Sequence, residues 1–221
     1  MKNIIKIDRN RWVEAQQTEL DVWKKYANGN NDWNDWWEKQ FQLYRPIINY
    51  KIDSIIEVGC GPFIQNIRKI MTVLNKKIDR IGINDPLLKE YMTFSKNAIS
   101  FAKQYNPEMY DCPLEGLMTD NRFDCVICIN VLDHVSDVEK CMENMNNILN
   151  DGGILILGQD LTDDWDIKNS QEDIMHPMRF DEEYIRSFIN KYKDVYYRLL
   201  NREEGRNPSA HYGTLLYIGQ K

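Results

Sequence analysis

Apolar residues recur along this chain at two different periods, and the switches between them mark out its elements. Near the N-terminus Trp12, Ala15, Glu19, Val22, Trp23 and Tyr26 share one helical stripe, followed by a polar loop, Asn28-Gly29-Asn30-Asn31-Asp32. A second helix is predicted from Asp32 or Asn34, carrying Trp33, Trp36, Trp37, Phe41 and Tyr44, with Pro46 ending it or beginning the connection to the first strand. Ile55-Ile56-Glu57-Val58 then reads as a buried strand and Gly59-Cys60-Gly61 as a sharp turn. Behind the turn, Ile64, Ile67, Ile70, Met71 and Leu74 line one face of a helix. Further strands are predicted at 79–85, 123–130, 154–158, 195–200 and 212–218, and helices at 86–91, 137–149 and 182–192, the last capped by Asp181. From Ala98 to Tyr110 the pattern is weak and predicts only a short third strand.

A strand, a glycine turn and a helix make the first half of a nucleotide-binding βαβ unit, where glycines let backbone approach a ligand closely. A dinucleotide fingerprint wants a third glycine at the sixth position of the turn. Ile64 stands there instead, and Pro62-Phe63 fill the turn with bulk, which disfavours a nicotinamide-dependent oxidoreductase. Glu57, just before the first glycine pair, would repel a pyrophosphate but suits an ammonium group. S-adenosylmethionine carries an ammonium and no phosphate.

Composition narrows the class. The chain has 221 residues and a net charge of −6, which argues against a polyanionic partner such as nucleic acid. No apolar run approaches the ~18 residues needed to span a membrane. No signal peptide is visible in Met1-Lys2-Asn3-Ile4-Ile5, and five cysteines without an export signal predict a cytoplasmic location. Cys125-x-x-Cys128 falls in an apolar strand, where residues three apart point to opposite faces and cannot share a metal. No other metal-ligand spacing is visible, so no metal is expected.

The stretch Glu57-Val58-Gly59-Cys60-Gly61 resembles the first motif of class I S-adenosylmethionine-dependent methyltransferases. Asp85-Pro86-Leu87 is similar to the Asp-Pro-Leu of related enzymes, although Asn84 stands between the strand's apolar residues and the acid. Asn130-Val131-Leu132-Asp133-His134-Val135 resembles the family's post-strand loop, and the run of helix, Asp151-Gly152-Gly153 and apolar strand also matches. The resemblance covers roughly residues 50–220. It implies a Rossmann-like α/β fold, a mostly parallel seven-stranded sheet flanked by helices, preceded by an N-terminal helical cap. Residues 1–50 would form that cap and 51–221 the cofactor-binding domain. By the same match Glu57 takes the cofactor's ammonium, Gly59, Cys60 and Gly61 the close backbone approach, and Asp85 the ribose hydroxyls. Leu114 and Glu115 would border the adenine, and Asn130 would face the methionine part.

Methyl transfer to oxygen often needs a base, and imidazole is the side chain matched to neutral pH. The three histidines are His134, beside the expected methyl donor, and His176 and His211, in loops on the acceptor side. Each has an alternative as a packed or solvated loop residue. The tryptophan-rich leader is either two amphipathic helices packed on the sheet or a lid over the acceptor pocket. Its Trp12-x-x-Ala15-Gln16-x-x-Glu19-x-x-x-Trp23 arrangement resembles leaders of small-molecule methyltransferases from bacterial surface-glycan pathways. The expected activity is transfer of a methyl group to an O or N atom of a small molecule, a sugar, nucleotide-sugar or surface-glycan precursor. The alternative is a non-catalytic cofactor-binding subunit that regulates a partner methyltransferase. Monomer and homodimer are both open.

Overall fold

A computed structural model describes residues 3–29, 33–169 and 174–221. Seven strands form one sheet: β1 Ser54–Val58, β2 Arg80–Asn84, β3 Glu108–Tyr110, β4 Phe123–Ile129, β5 Leu149–Leu161, β6 Lys193–Asn201 and β7 Gly213–Gln220. Their spatial order is β3-β2-β1-β4-β5-β7-β6. The first five pair in parallel, while β7 runs antiparallel between β5 and β6. This is the expected mostly parallel, seven-stranded Rossmann-like sheet. The order reverses between β1 and β4, and an α/β sheet opens a crevice beyond its carboxyl ends at such a point.

Eight α-helices accompany the sheet among the described residues: α1 Arg9–Tyr26, α2 Trp33–Gln40, α3 Asn66–Leu74, α4 Leu88–Phe94, α5 Lys96–Tyr105, α6 Val138–Ile148, α7 Asp164–Asn169 and α8 Glu182–Ile189. Central strands are buried on both faces, so their side chains divide between two apolar layers. One layer joins Ile55, Cys125 and Ile127 to Trp37, Ile67, Tyr91 and Phe101. The other joins Ile56, Val126 and Cys128 to Met142, Met145 and Ile185. Cys125 and Cys128 thus face opposite layers, as strand geometry demands, and both are free buried thiols.

Several boundaries differ from the periodicity, each for a local reason. The second helix ends at Gln40, not at Pro46, because Gln42, Leu43 and Tyr44 adopt left-handed φ of 53–57°. That reversal, followed by a 3₁₀ turn over Gln42–Ile47, drops Phe41, Tyr44 and Ile47 fully into the core. A start at Asp32 lies outside the described residues, as do positions 170–173 of the loop expected after Asp160. The faintly patterned 98–110 segment begins inside α5, whose N-cap Ser95 accepts a hydrogen bond from the Ala98 amide. The predicted Asp151-Gly152-Gly153 turn is absorbed into β5 as a register shift against β4, with Gly152 at φ +77°.

Helix α1 lies like a strap over the crevice. Asp8 caps it by accepting from the Asn10 and Arg11 amides. Ahead of it, Ile4 and Arg179 exchange backbone hydrogen bonds of 2.7 and 2.9 Å. Beyond it, the Asn28 side chain donates to the Phe94 carbonyl and accepts from the Lys96 amide, both at 2.9 Å. The strap therefore reaches from the β5 side to the helices beside β2. No helix among the described residues is long and apolar enough to cross a membrane.

Candidate active site

Between the strand ends and α1 lies a cavity of about 920 Å³, lined at one end by Gly59–Gly61 and Asp85 and at the other by Trp36, Trp37 and the three histidines. The glycine turn explains its own composition. Gly59 has φ +59°, and an added Cβ would stand 2.4 Å from Val131 Cγ2. Gly61 has φ +57° with nothing within 4 Å of where its Cβ would be, so the turn presents bare backbone to open space. A Cβ there would claim the room a ligand needs. Ile64 continues the distortion with φ +50°, a conformation a β-branched residue adopts only where its surroundings enforce it.

Two carboxyl groups stand beside this turn, both in the strand-end positions that the sequence suggests. Glu57 is 4% exposed and accepts from Asn66 Nδ2 at 2.7 Å and from the Ile67 amide at 3.4 Å, anchoring the start of α3. Tyr44 supports Asn66 in turn, its hydroxyl donating to Oδ1 at 2.8 Å. Asp85 follows β2 and accepts from the Gly61 and Leu87 amides, both at 2.9 Å. The neighbouring Asn84 instead donates to the Tyr110 and Cys112 carbonyls at 2.9 and 2.7 Å, tying β2 to β3. Burial pushes both acids up to about 7, Asp85 with help from the charge of Glu19. Among the described residues neither acid meets a lysine or arginine, so an ammonium would suit Glu57 and a pair of hydroxyl donors Asp85.

The remaining expected cofactor contacts are also brought to the cavity. Leu114 is buried at its wall, while the Glu115 carboxylate turns to the Ser136 amide and hydroxyl and the Asp137 amide. Asn144 donates to the carbonyls of both Leu114 and Glu115, at 2.8 and 3.0 Å, and so pins the segment. Asn130 takes a left-handed φ of 55° at the end of β4 and its side chain accepts from the Asp160 amide at 3.4 Å. Cys60 is buried beside Asp85, and burial holds its thiol well above the usual range.

The opposite end is built from distant segments. His134 Nδ1 lies 3.2 Å from Glu19 Oε2, and its Nε2 lies 3.9 Å from Asp133 Oδ1. The His176 ring sits edge-on to that of His134, with centroids 4.3 Å apart. His211 Nε2 is 4.0 Å from Asp160 Oδ2, which also meets Arg206 at 3.4 Å, and burial pushes the imidazole down. Burial acts against the charges of Glu19 and Asp133, but the neighbouring imidazoles outweigh it and hold both carboxyls below their usual range. All three histidines line the cavity. Arg179, in contrast, is absent from the cavity wall and joins the strap through its backbone.

Asp133, His134 and His176 offer ligand atoms within 4.8 Å of one another, a grouping hidden from the sequence because His176 lies on another loop. Two of these donors, Asp133 Oδ1 and His134 Nε2, stand 3.9 Å apart.

The strand-end positions of Asp133 and Asp160 and the place of Trp37 in the leader were signals for this rim, although the sequence assigned none of the three a role. Glu19, an acid within an otherwise apolar helical stripe, and Arg206 were not assigned one either.

Known proteins match the chain in family and in fold. A family model described as a methyltransferase domain matches residues 36–203. A ubiquinone biosynthesis O-methyltransferase of Rickettsia bellii is 26% identical over 162 residues, 65% of this chain and 62% of that protein, so the match spans less than two thirds of the relative. The N-methyltransferase NodS of Bradyrhizobium japonicum, solved with S-adenosylhomocysteine, superposes with a TM-score of 0.61 at 16% identity, covering 96% of this chain and 98% of that one. The 1,6-didemethyltoxoflavin-N1-methyltransferase of Burkholderia thailandensis gives 0.61 at 13% identity, covering 97% and 91%. With three quarters of its length inside the family model and its strands in this order, the chain belongs to the methyltransferase-domain family and is a class I S-adenosylmethionine-dependent methyltransferase domain.

Proposed function

We propose that this protein transfers a methyl group from S-adenosylmethionine to an oxygen or nitrogen of a small-molecule acceptor. The observation that carries the reading is the single cavity of about 920 Å³ joining the glycine turn to an aromatic, histidine-lined end. Such a volume suits a cofactor and a small acceptor side by side, under a strap that keeps out water. S-adenosylmethionine supplies an electrophilic methyl on a sulfonium, and its ammonium, ribose and adenine are the handles for binding. Glu57 receives the ammonium, Asp85 the ribose hydroxyls, and Gly59, Cys60 and Gly61 give backbone approach. Leu114 borders the adenine with Glu115 bracing the segment behind it, and Asn130 faces the methionine part.

An in-line displacement requires the acceptor's lone pair roughly 3 Å from the methyl carbon and aligned with the bond that breaks. The new bond forms from that lone pair while the carbon–sulfur pair returns to sulfur. For a hydroxyl acceptor the proton passes to His134 Nε2, with His176 and His211 orienting the acceptor. Trp36, half-buried at the cavity wall with Trp37 packed against it in the core, offers an apolar surface that suits a sugar ring or an aromatic metabolite. A sugar, nucleotide-sugar or surface-glycan precursor is the acceptor we favour, because the leader resembles those of such enzymes. We place residues 1–50 as the cap, the remainder as the cofactor domain, and the enzyme in the cytoplasm.

Calorimetric titration with S-adenosylhomocysteine tests the cofactor site. The parent should bind at micromolar concentration, and Asp85→Ala should weaken binding by ~1–3 kcal/mol, the scale of a lost charged hydrogen bond. A folded parent that fails to bind would overturn the reading. Product release in an acceptor screen by the chain alone would then exclude a purely regulatory subunit.

A further inference from the structure

We infer that Glu19, on the strap helix α1, is a positioning residue for His134, so that the base is assembled only when the strap is docked. The inference rests on His134 serving as the base in the reaction proposed above. Three residues on one stripe of α1 converge on this histidine, and a fourth braces one of them. Trp12 Nε1 and Gln16 Nε2 both donate to the His134 carbonyl, each at 3.2 Å. Glu19 Oε2 lies 3.2 Å from Nδ1 of the ring. The other carboxylate oxygen accepts from Trp23 Nε1 at 3.0 Å, which fixes its orientation. The histidine's backbone and side chain are thus both gripped by a helix more than a hundred residues away in sequence.

The chemical consequence follows from the two distinct nitrogens of imidazole. A carboxylate at Nδ1 favours the tautomer with its proton there, which leaves the Nε2 lone pair to receive a proton. The same carboxylate stabilises the imidazolium after uptake. Nε2, on the other side of the ring from the nitrogen that meets Glu19, has Asp133 Oδ1 at 3.9 Å and the His176 ring beside it, and the histidine lines the cavity. Packing alone gives no reason for an acid here. The stripe is otherwise Trp, Ala, Leu and Gln, and Glu19 keeps only 18% of its side-chain surface. A displaced strap would remove the carboxylate, the two carbonyl donors and the roof of the cavity together. Proton uptake is thereby tied to closure, which denies the activated base to water.

Nuclear magnetic resonance of the ¹⁵N-labelled full chain tests this without an acceptor. With three histidines in the sequence, each imidazole is assignable from His176→Asn and His211→Asn variants. The groups facing His134 are Glu19 from α1, Asp133 from its own loop, His176 from the segment before Pro177, Asp85 beyond β2 and His211 ahead of β7. With saturating S-adenosylhomocysteine, the parent should show His134 with its neutral-form proton on Nδ1. Glu19→Gln should lower the His134 midpoint by about one pH unit or more, the scale of a lost opposite charge within 4–6 Å. Glu19→Asp should restore part of the shift, and it serves as the test if the Gln variant does not fold. Cofactor-product affinity should stay within threefold of the parent in both. An unchanged His134 midpoint and tautomer in the variants would overturn the inference while leaving the cofactor reading intact. A folded parent that does not bind S-adenosylhomocysteine would overturn that reading and the inference with it.

Discussion

The two ends of the cavity hold carboxyl groups in opposite electrostatic states. At the glycine turn, Glu57 and Asp85 are buried among amide donors, and burial lifts both to about 7. At the histidine end, Glu19 and Asp133 are just as surrounded by protein, yet imidazoles beside them keep both below their usual range. The difference lies in where the compensating cation comes from. At the histidine end desolvation is offset by imidazoles of the chain itself, while at the glycine turn the proposed cofactor would bring the ammonium that Glu57 lacks. A site that waits for its cation discriminates for ligands that bring one.

The largest expected way to break this contrast is Gly59→Ala. The added methyl meets Val131 at 2.4 Å, and the residue must keep φ +59°. Overpacking and left-handed strain together should cost ~3 kcal/mol in urea denaturation. Calorimetry should show no S-adenosylhomocysteine binding, while the histidine end keeps its contacts. Near-parental binding would mean that the turn has room the structure does not show.

The titration of the first pair gives a second, intermediate effect. A group raised by folding contributes stability that is fully present below its unfolded value and lost as pH rises through its folded value. For Glu57 and Asp85 the loss therefore runs from about pH 4 up to about 7. Ligand binding that requires both ionised should strengthen over the same direction, by about tenfold for each carboxyl unit of pH below 7. The rise in melting temperature caused by S-adenosylhomocysteine should accordingly be larger at pH 8 than at pH 6. Glu19 and Asp133 are ionised throughout that window and drop out of the difference. His211, lowered by burial, acts on liganded and ligand-free protein alike. An increment that is flat, or larger at pH 6, would remove the electrostatic contrast.

The smallest effect sharpens the opposite end. Trp12→Phe keeps the ring but removes the indole donor to the His134 carbonyl. Gln16 still donates to that carbonyl, so the loss should be about 1 kcal/mol or less by thermal denaturation. Unchanged S-adenosylhomocysteine affinity would confine the effect to the strap.

How much of this was legible in advance divides along the same line. The placement of Glu57, Gly59 and Gly61 at one turn was readable because a strand, a turn and a following helix are written in adjacent residues, and that of Asp85 because it follows the apolar residues of the next strand. The opposed faces of Cys125 and Cys128 followed from the two-residue period of a strand. In contrast, the left-handed reversal at Gln42–Tyr44 has no glycine to announce it, and packing of Phe41 and Tyr44 overrode a helical pattern. The engagement of Glu115 with Ser136 was equally invisible, because that acid caps a loop twenty residues onward.

By itself the sequence determined the period of each element, the places where only glycine suits the backbone, and an acid beside the first turn. These are consequences of local sterics and of apolar burial, which act between near neighbours along the chain. Only the tertiary structure decided which distant polar groups meet. Gln16 and His134 are 118 residues apart in sequence, and nothing local specifies their contact. It arises because the parallel sheet carries the end of β4 beneath a helix that enters from the chain's other side. There burial of Glu19, Asp133 and His134 strengthens the electrostatic interaction among them, which no local stretch of the chain encodes.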